Sequence, residues 1–338
     1  MRWDNLTVES ERGGTLPGFK EPAVVRTFDA PEALGTRFYE VRARSAINQV
    51  PKRSRMPFRY TINAYRGCSH GCVYCFARPT HTYLDFNARE DFEREIVVKV
   101  NAPELVRTEL ARPSWKGEHV ALGTNTDPYQ WVEGRYKLMR GIWEAMRDFA
   151  NPCSVLTKSP LLLRDVDLMR EIAERTDFTA NLSIPTLDER AWRETEPHTP
   201  HPRKRIEAVA ELKRAGIRTG VLIAPLIPGV NDSPEQVEPL MELLDEAGPD
   251  SIGGVALHLR GEVRDIWFDW LRERRADLLP RYEELYERGA YMRKDEASRL
   301  AAMVRRPGRS GPRRGMRDPE PARDEDPDTS SQQQPSLW

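Results

Sequence analysis

From Arg59 onward the chain alternates two hydrophobic patterns. Short apolar runs are followed by stretches in which apolar residues recur every three to four positions, the period of a helix with one buried face. The runs predict strands at RYTINAYRG (59–67), HVALGT (119–124), CSVLTKS (153–159), FTANLSIP (178–185), TGVLIAPLI (219–227) and SIGGVALHL (251–259). Helices are expected at 91–110, 136–149, 165–175, 202–215 and 233–247. The last of these opens with Ser233 as N-cap and Pro234 at the first helical position, and Gly216 and Gly248 end two of the periodic runs. Strand followed by helix, about six times over, means parallel strands joined by crossover helices. Polar residues stand at the C-terminal end of nearly every strand, which favours a barrel with its site at that rim over an open sheet with one switch point. Six units are fewer than the usual eight, so the expected fold is a partial (β/α)6 TIM-type barrel over residues 58–262.

The flanks differ from this pattern. Residues 1–57 show little periodicity and are expected to be irregular, with a basic arm in NQVPKRSRMPFR (48–59). Residues 263–305 read as C-terminal helices, in which Trp267, Trp270 and Leu271 fall at helical spacing and are expected to be core packing. Residues 306–338 are rich in Pro, charge and Gln, with few apolar side chains to offset ordering entropy, and are expected to be a disordered tail.

Composition changes this picture at two points. Hydrophobic residues are 39% of the 338 and charged residues 31%, consistent with part of the length being tail. The formal net charge is -1, so attraction to a polyanion must come from a local patch such as Lys52, Arg53 and Arg55 and not from the whole molecule. No apolar run is long enough to cross a bilayer, and the acidic start MRWDNLTVESERGG lacks the apolar core of a signal peptide, so no membrane association is expected and the compartment is the cytoplasm.

Three of the four cysteines, Cys68, Cys72 and Cys75, lie within the stretch YRGCSHGCVYCFARPT, spaced C-x3-C-x2-C. In a cytoplasmic chain such crowding points to metal or catalysis and away from disulfides. A structural zinc site would need a fourth ligand, which His70 or His81 could provide. A redox C-x-x-C accounts for Cys72 and Cys75 and leaves Cys68 idle. A [4Fe–4S] cluster with one iron left open uses all three. Gly67 and Gly71 fit that reading, because a loop without Cβ atoms there can close around an inorganic cube.

The string CSHGCVYC resembles the cluster loop of the radical S-adenosylmethionine (SAM) superfamily, C-x3-C-φ-x-C, with the departure that Val73 holds the aromatic position and Tyr74 follows it. PFRYTINAYRGCSHGCVYCFARPTHTYL and TNTDPYQ resemble the subgroup related to spore photoproduct lyase, also called DNA-repair-photolyase-like; the resemblance covers about residues 48–260. It implies a [4Fe–4S] cluster on Cys68, Cys72 and Cys75. It also implies S-adenosyl-L-methionine on the open iron, cleaved reductively to a 5′-deoxyadenosyl radical that abstracts hydrogen from substrate. It further implies an electron donor of flavodoxin or ferredoxin type. Carried over by position, Thr124, Asn125, Thr126 and Asp127 are candidates for the methionine ammonium, Lys158 for its carboxylate, Ser183 for the ribose and Tyr74 for the adenine. Ala224 and Ile227 are candidate neighbours of the adenine, and His258 and Arg260 end the sixth strand, with a core or salt-bridged role expected and contact to substrate or cofactor as the alternative.

The resemblance also implies a hydrogen-donor cysteine near the end of the second strand, where this chain has Thr124 and Asn125. Cys153 begins the third strand, at the end opposite the site, and reads as a small buried residue. Substrate class stays open between nucleic acid, peptide and small metabolite. Two other function classes stay open as well: a zinc-dependent nucleic-acid-binding module, and a barrel whose cluster is purely structural.

Overall fold

The computed structural model describes residues 8–12, 14–28, 35–51, 54 and 56–305. Two sheets organise them. The first has five strands in the order β1-β2-β3-β7-β6 and the second seven in the order β12-β11-β10-β9-β8-β5-β4. The strands are β1 (Val8–Arg12), β2 (Val24–Phe28), β3 (Arg37–Val41), β4 (Ile47–Gln49), β5 (Tyr60–Ile62), β6 (Tyr65–Arg66), β7 (Glu95–Lys99), β8 (Val120–Leu122), β9 (Cys153–Thr157), β10 (Phe178–Ser183), β11 (Thr219–Leu226) and β12 (Ser251–Ala256).

All six predicted strand regions carry strands, but the first, 59–67, splits into β5 in the second sheet and β6 in the first. β5, β8, β9, β10, β11 and β12 pair in parallel, each beside the next in chain order. That monotonic order has no point of reversal, which is the mark of a partial (β/α)6 barrel and not of a doubly wound sheet. The connecting helices have the predicted period and bury one face each. α1 (Asp91–Arg94) is a single turn, followed by α2 (Ala102–Leu110), α3 (Glu133–Tyr136), α4 (Leu138–Asp148), α5 (Val166–Arg175), α6 (Glu189–Thr195), α7 (Pro202–Arg214) and α8 (Pro234–Ala247). At α8 Ser233 is the N-cap, its N–H donating to Gln236 Oε1 at 3.5 Å, and Gly248 closes the helix at φ 72°.

Two further expectations are corrected. The N-terminal segment, read as irregular, forms β1 to β4, and β1, β2 and β3 pair antiparallel before β3 joins β7 in parallel. The stretch 91–110, read as one helix, breaks into α1, β7 and α2. The cause is the run EIVVK, whose five residues are all buried between β3 and β6. A short continuous apolar run fits a strand buried on both faces as well as a helix, and pairing on both edges decides it. The basic-arm residues Lys52, Arg53 and Arg55 and the tail 306–338 lie outside the described residues.

After the barrel come α9 (Val263–Arg274), α10 (Leu279–Leu285) and α11 (Lys294–Met303). Trp267 and Leu271 are fully buried, and the Trp267 and Trp270 rings stack at 4.6 Å, as core packing predicts. Among the described residues no helix is long and apolar enough to cross a membrane.

One buried carboxylate anchors the barrel wall behind β6. Glu133, fully buried, accepts from the Tyr65 hydroxyl, from Leu138 N and Met139 N at the start of α4 (both 3.1 Å) and from Arg164 Nη2 (2.6 Å). Replacing it leaves the Tyr65 hydroxyl and two helix N–H groups without their acceptor, while the Arg164 guanidinium keeps Asp165. Glu133→Ala is therefore expected to lower unfolding stability by about 1–3 kcal/mol, the cost of leaving buried donors unpaired, and Glu133→Gln by less; urea unfolding followed by circular dichroism measures both.

Candidate active site

The cysteine loop leaves β6 at Gly67 and is held by α1, the turn that leads into β7. Cys68 N–H donates to the Phe92 carbonyl at 2.8 Å. Successive tight turns follow, with Gly71 N–H to Cys68 O (3.3 Å), Cys75 N–H to Cys72 O (3.2 Å) and Arg78 N–H to Cys75 O (3.2 Å). Gly67 and Gly71 have φ of 79° and 63°, which excludes a Cβ without strain. The space a Cβ would need is occupied by protein: Ile96 and the Phe92 carbonyl at Gly67, Glu93 and His198 at Gly71. The glycines thus serve the approach of the loop to its own scaffold, where the sequence assigned them to the face of a cluster. Buried Arg78 locks the outside of the loop, donating to Cys72 O (3.0 Å) and Gly71 O (3.0 Å) and pairing with Glu93 (3.2 Å).

The TNTDPYQ turn after β8 braces the same loop from the barrel side. Thr126 Oγ1 donates to Gly67 O at 2.7 Å, and Gln130 accepts from Ser69 N at 3.0 Å. Asp127 accepts from Thr157 Oγ1 (2.6 Å), Tyr129 N (2.9 Å) and Lys158 N (2.7 Å), and its Oδ2 lies 3.4 Å from His70 Nδ1. Those four neighbours fill the acceptor directions of a carboxylate. Burial opposes the Asp127 charge, but His70 and the two donors on β9 hold its pKa below the ordinary value. Burial likewise opposes the His70 charge, and Asp127 with Cys68 outweighs it, so His70 is pushed up to about 10. Thr124 and Asn125 precede this brace; Asn125 N–H donates to Asn63 Oδ1 at 3.2 Å.

A second polar cluster joins Tyr74, Lys158 and Ser183 through a residue the sequence reading missed. Glu196, 1% exposed, accepts from the Tyr74 hydroxyl and pairs with Lys158 Nζ (2.7 Å) and Arg205 Nη2 (2.7 Å). Lys158 Nζ also donates to Ser183 Oγ at 2.7 Å and lies 5.6 Å from the centre of the Tyr74 ring. Ser183 Oγ donates onward to Ala224 O at 3.1 Å. Burial raises the Glu196 pKa, but Arg205 and Lys158 outweigh it and hold it down at about 2. In the sequence Glu196 lies in the Pro-rich WRETEPHTPHPRKR, and only a pairing between distant segments would have revealed it.

The loop's chemistry fits an iron–sulfur cluster. Cys68, Cys72 and Cys75 are free thiols, the first two buried and the third half-buried. Burial pushes the Cys72 thiol well above its ordinary pKa, and burial with Cys68 pushes Cys75 up to about 11. The thiols are thus held in a dry pocket, where a cationic iron core would favour their thiolate form. Among the described residues no three His, Cys, Asp or Glu side chains, the three cysteines included, come together to hold a single metal ion. His81 is stacked on Phe86 at 5.1 Å. Cys153 is fully buried at the N-terminal end of β9, paired across the sheet with Val120 and Phe178. His258 packs between Phe76 (5.8 Å) and Tyr291 (5.6 Å) beside the barrel mouth.

Fold and loop together define a partial-barrel protein with its polar residues at the C-terminal strand ends and a three-thiol loop beside the first of them. The chain belongs to the radical SAM superfamily, whose profile matches residues 62–254. Uncharacterized proteins of Mycobacterium tuberculosis and Mycobacterium bovis are 44% identical over 296 residues, covering 86% of this chain and 87% of each relative. The radical SAM Nalpha-GlyT isomerase of Pseudomonas phage M6 is 26% identical over 165 residues, covering 48% of this chain and 32% of the isomerase. Among solved structures, spore photoproduct lyase complexed with dinucleoside spore photoproduct superposes with a TM-score of 0.56 at 15% identity, covering 79% of this chain and 77% of the lyase. A mutant of the lyase with bound AdoMet and dinucleoside spore photoproduct superposes equally well, at 0.56 and 16% identity, covering 78% and 76%. The superfamily generally uses a [4Fe–4S] cluster and SAM.

The depressed pKa of Glu196 has a consequence in acid. Its contribution is complete above the unfolded carboxylate value near 4.3 and is lost as pH falls towards about 2. Unfolding free energy of cluster-free protein, followed by urea titration at stepped pH, is expected to fall across that window. In Glu196→Gln it is expected to be lower at neutral pH and to lose about 2–3 kcal/mol less over the same window.

Proposed function

We propose that Cys68, Cys72 and Cys75 hold three irons of a [4Fe–4S] cluster and that S-adenosyl-L-methionine completes it through its amino and carboxylate groups. The observation that carries this reading is the braced loop with three free thiols and no fourth beside them: Cys153 sits at the far end of β9. When bound, the cluster and cofactor would supply a 5′-deoxyadenosyl radical for hydrogen abstraction from substrate. The protein's own part is to position, to exclude water and to hold charges fixed.

In this proposal Thr126, Gln130 and Asp127 hold the loop, and Thr124 and Asn125 are left to meet the methionine ammonium. Lys158 provides the cation for the methionine carboxylate. Glu196 and Tyr74 hold that ammonium at the rim while Ser183 lies within hydrogen-bond reach of it for the ribose side. Tyr74 therefore acts by placing Lys158, with adenine left to the apolar wall of β11 around Ala224 and Ile227. A small reductant protein of flavodoxin or ferredoxin type would deliver the electron. The reducing cytoplasm suits a chain with four free cysteines.

A nucleic-acid substrate is the class we favour. The supports are the fold shared with a lyase solved with dinucleoside spore photoproduct and the basic residues Lys52, Arg53 and Arg55 ahead of β5 in the sequence. The reaction is not a copy of that lyase's, because Thr124 and Asn125 stand where the resemblance implies a hydrogen-donor cysteine.

Anaerobically reconstituted protein, reduced with dithionite and given SAM, is expected to release 5′-deoxyadenosine, measured by mass spectrometry. Cys72→Ala is expected to bind less iron and release none. Zinc in place of iron in protein purified without oxygen would overturn the reading.

A further inference from the structure

The barrel rim carries a row of aromatic rings that the radical reading does not use. Phe76 follows Cys75, His258 lies just beyond the end of β12, and Tyr291 lies between α10 and α11. The Phe76 and Tyr291 rings each meet the His258 ring edge to face, at 5.8 and 5.6 Å. Both outer rings are open to solvent, Phe76 45% exposed and Tyr291 59%. Among the described residues the other aromatic side chains this open are Tyr83 and Phe149. Single exposed apolar residues are ordinary on a surface, but here two of them share one histidine.

Hydrogen bonds fix the backbone beneath each ring. Phe76 stands between half-buried Cys75 and buried Ala77, in the turn that Arg78 N–H closes on Cys75 O. His258 and Tyr291 form an antiparallel bridge, and beside it Leu259 N–H donates to Ala290 O at 2.8 Å. Arg264 Nη1 braces the loop that leads to Tyr291, donating to the Tyr286 and Gly289 carbonyls at 3.0 and 3.2 Å. Gly261 ties the end of β12 to the exit of the cysteine loop: a Cβ there would stand 3.5 Å from the Pro79 ring. Burial, with the charge of Arg260 adding to it, holds the His258 pKa below its ordinary value, so the middle ring is neutral at neutral pH. Three segments are thus ordered in folding to hold rings in water. Such rings lose little freedom when a partner covers them.

We propose that Phe76, His258 and Tyr291 form a stacking platform for a base of single-stranded nucleic acid, with Arg260 meeting an adjoining phosphate. Every base offers a flat π-face to an aromatic side chain, and a cation beside the rings suits the strand's backbone. Arg260 is exposed and lies two residues beyond His258, close enough for its charge to be felt there. A surface built for an apolar protein segment would be served as well by aliphatic side chains; this row is aromatic throughout. A base on Phe76 lies one residue from Cys75, so the platform would hold substrate at the edge of the three-thiol loop. The inference rests on the nucleic-acid reading of the substrate and names the residues that would hold it; it needs no radical step.

The test uses the full chain, iron-loaded and kept anaerobic, with Phe76→Leu, Tyr291→Leu, Arg260→Gln and, as a control, Phe149→Leu at the end of α4. Leucine keeps apolar bulk and removes the π-face. Binding is followed by anisotropy at graded salt with two fluorescein-labelled strands of equal length, an oligothymidylate and its abasic counterpart. Iron content and melting temperature report whether each variant is folded, and Tyr291→Leu lies far along the chain from the cysteines should Phe76→Leu disturb their loop. Phe76→Leu and Tyr291→Leu are each expected to weaken oligothymidylate binding about 5- to 100-fold, the range for a base taken off an aromatic ring. They are expected to leave the abasic strand and the slope of log K against log salt unchanged. Arg260→Gln is expected to weaken both strands and to lower that slope by about 0.7. Leucine variants that bind as wild type overturn the platform and point to apolar docking of a protein segment. Equal affinity of the wild type for the two strands overturns it too, as does an equal loss in Phe149→Leu; each leaves the nucleic-acid reading standing. A wild type that binds neither strand overturns that reading and the platform with it.

Discussion

The carboxylate of Asp127 is the constraint on which the site depends. It is buried, charged and fully subscribed, and its partners come from three separate stretches of chain. Thr157 and Lys158 N–H stand at the end of β9, Tyr129 N–H closes its own turn after β8, and His70 lies inside the cysteine loop. An unpaired charge in that position would be very costly, so the three stretches can vary little without unfolding the rim. Thr126 and Gln130, one and three residues away, use the same turn to hold Gly67 and Ser69. The loop that carries the three thiols is therefore positioned by hydrogen bonds that need no metal. This is preorganisation: the ordering cost is met in folding, not at binding.

Glu196 does for the opposite wall what Asp127 does for the loop. It gathers Tyr74 from the loop, Lys158 from β9 and Arg205 from α7 around one carboxylate. Such a network is a weak source of net stability, since desolvation consumes most of the Coulombic gain. Its effect is geometric. It fixes an ammonium beside Ser183 at the rim, over the face of an aromatic ring. The two carboxylates together leave the C-terminal ends of β8, β9 and β10 and the cysteine loop as one rigid polar surface.

The barrel was legible in the sequence because its strands carry a strong local signal: continuous apolar runs with polar ends, separated by amphipathic helices with recognisable caps such as Ser233 and Gly248. The N-terminal sheet was not, because its strands are two to five residues long and its inner strand EIVVK has no periodicity of its own. Only the pairing of β3 and β6 on its two edges makes it a strand. The same division holds at the site. Three cysteines at close spacing stand out in any reading. Arg78, Gln130 and Glu196 do not, because each owes its position to a contact with a segment far along the chain. Gly67 and Gly71 were noticed, but their reason was misread: the atoms that leave no room for a Cβ are those of Phe92, Ile96 and Glu93.

The central claim is that this preformed loop presents a four-iron cluster with one iron open to SAM. The most direct measurement is the low-temperature electron paramagnetic resonance spectrum of the dithionite-reduced protein, recorded before and after SAM is added. The account predicts the signal of a single reduced [4Fe–4S] cluster whose g-values shift on addition, because the cofactor ligates the open iron. A cluster signal that SAM leaves unchanged would contradict it, since the fourth position would then be closed to the cofactor.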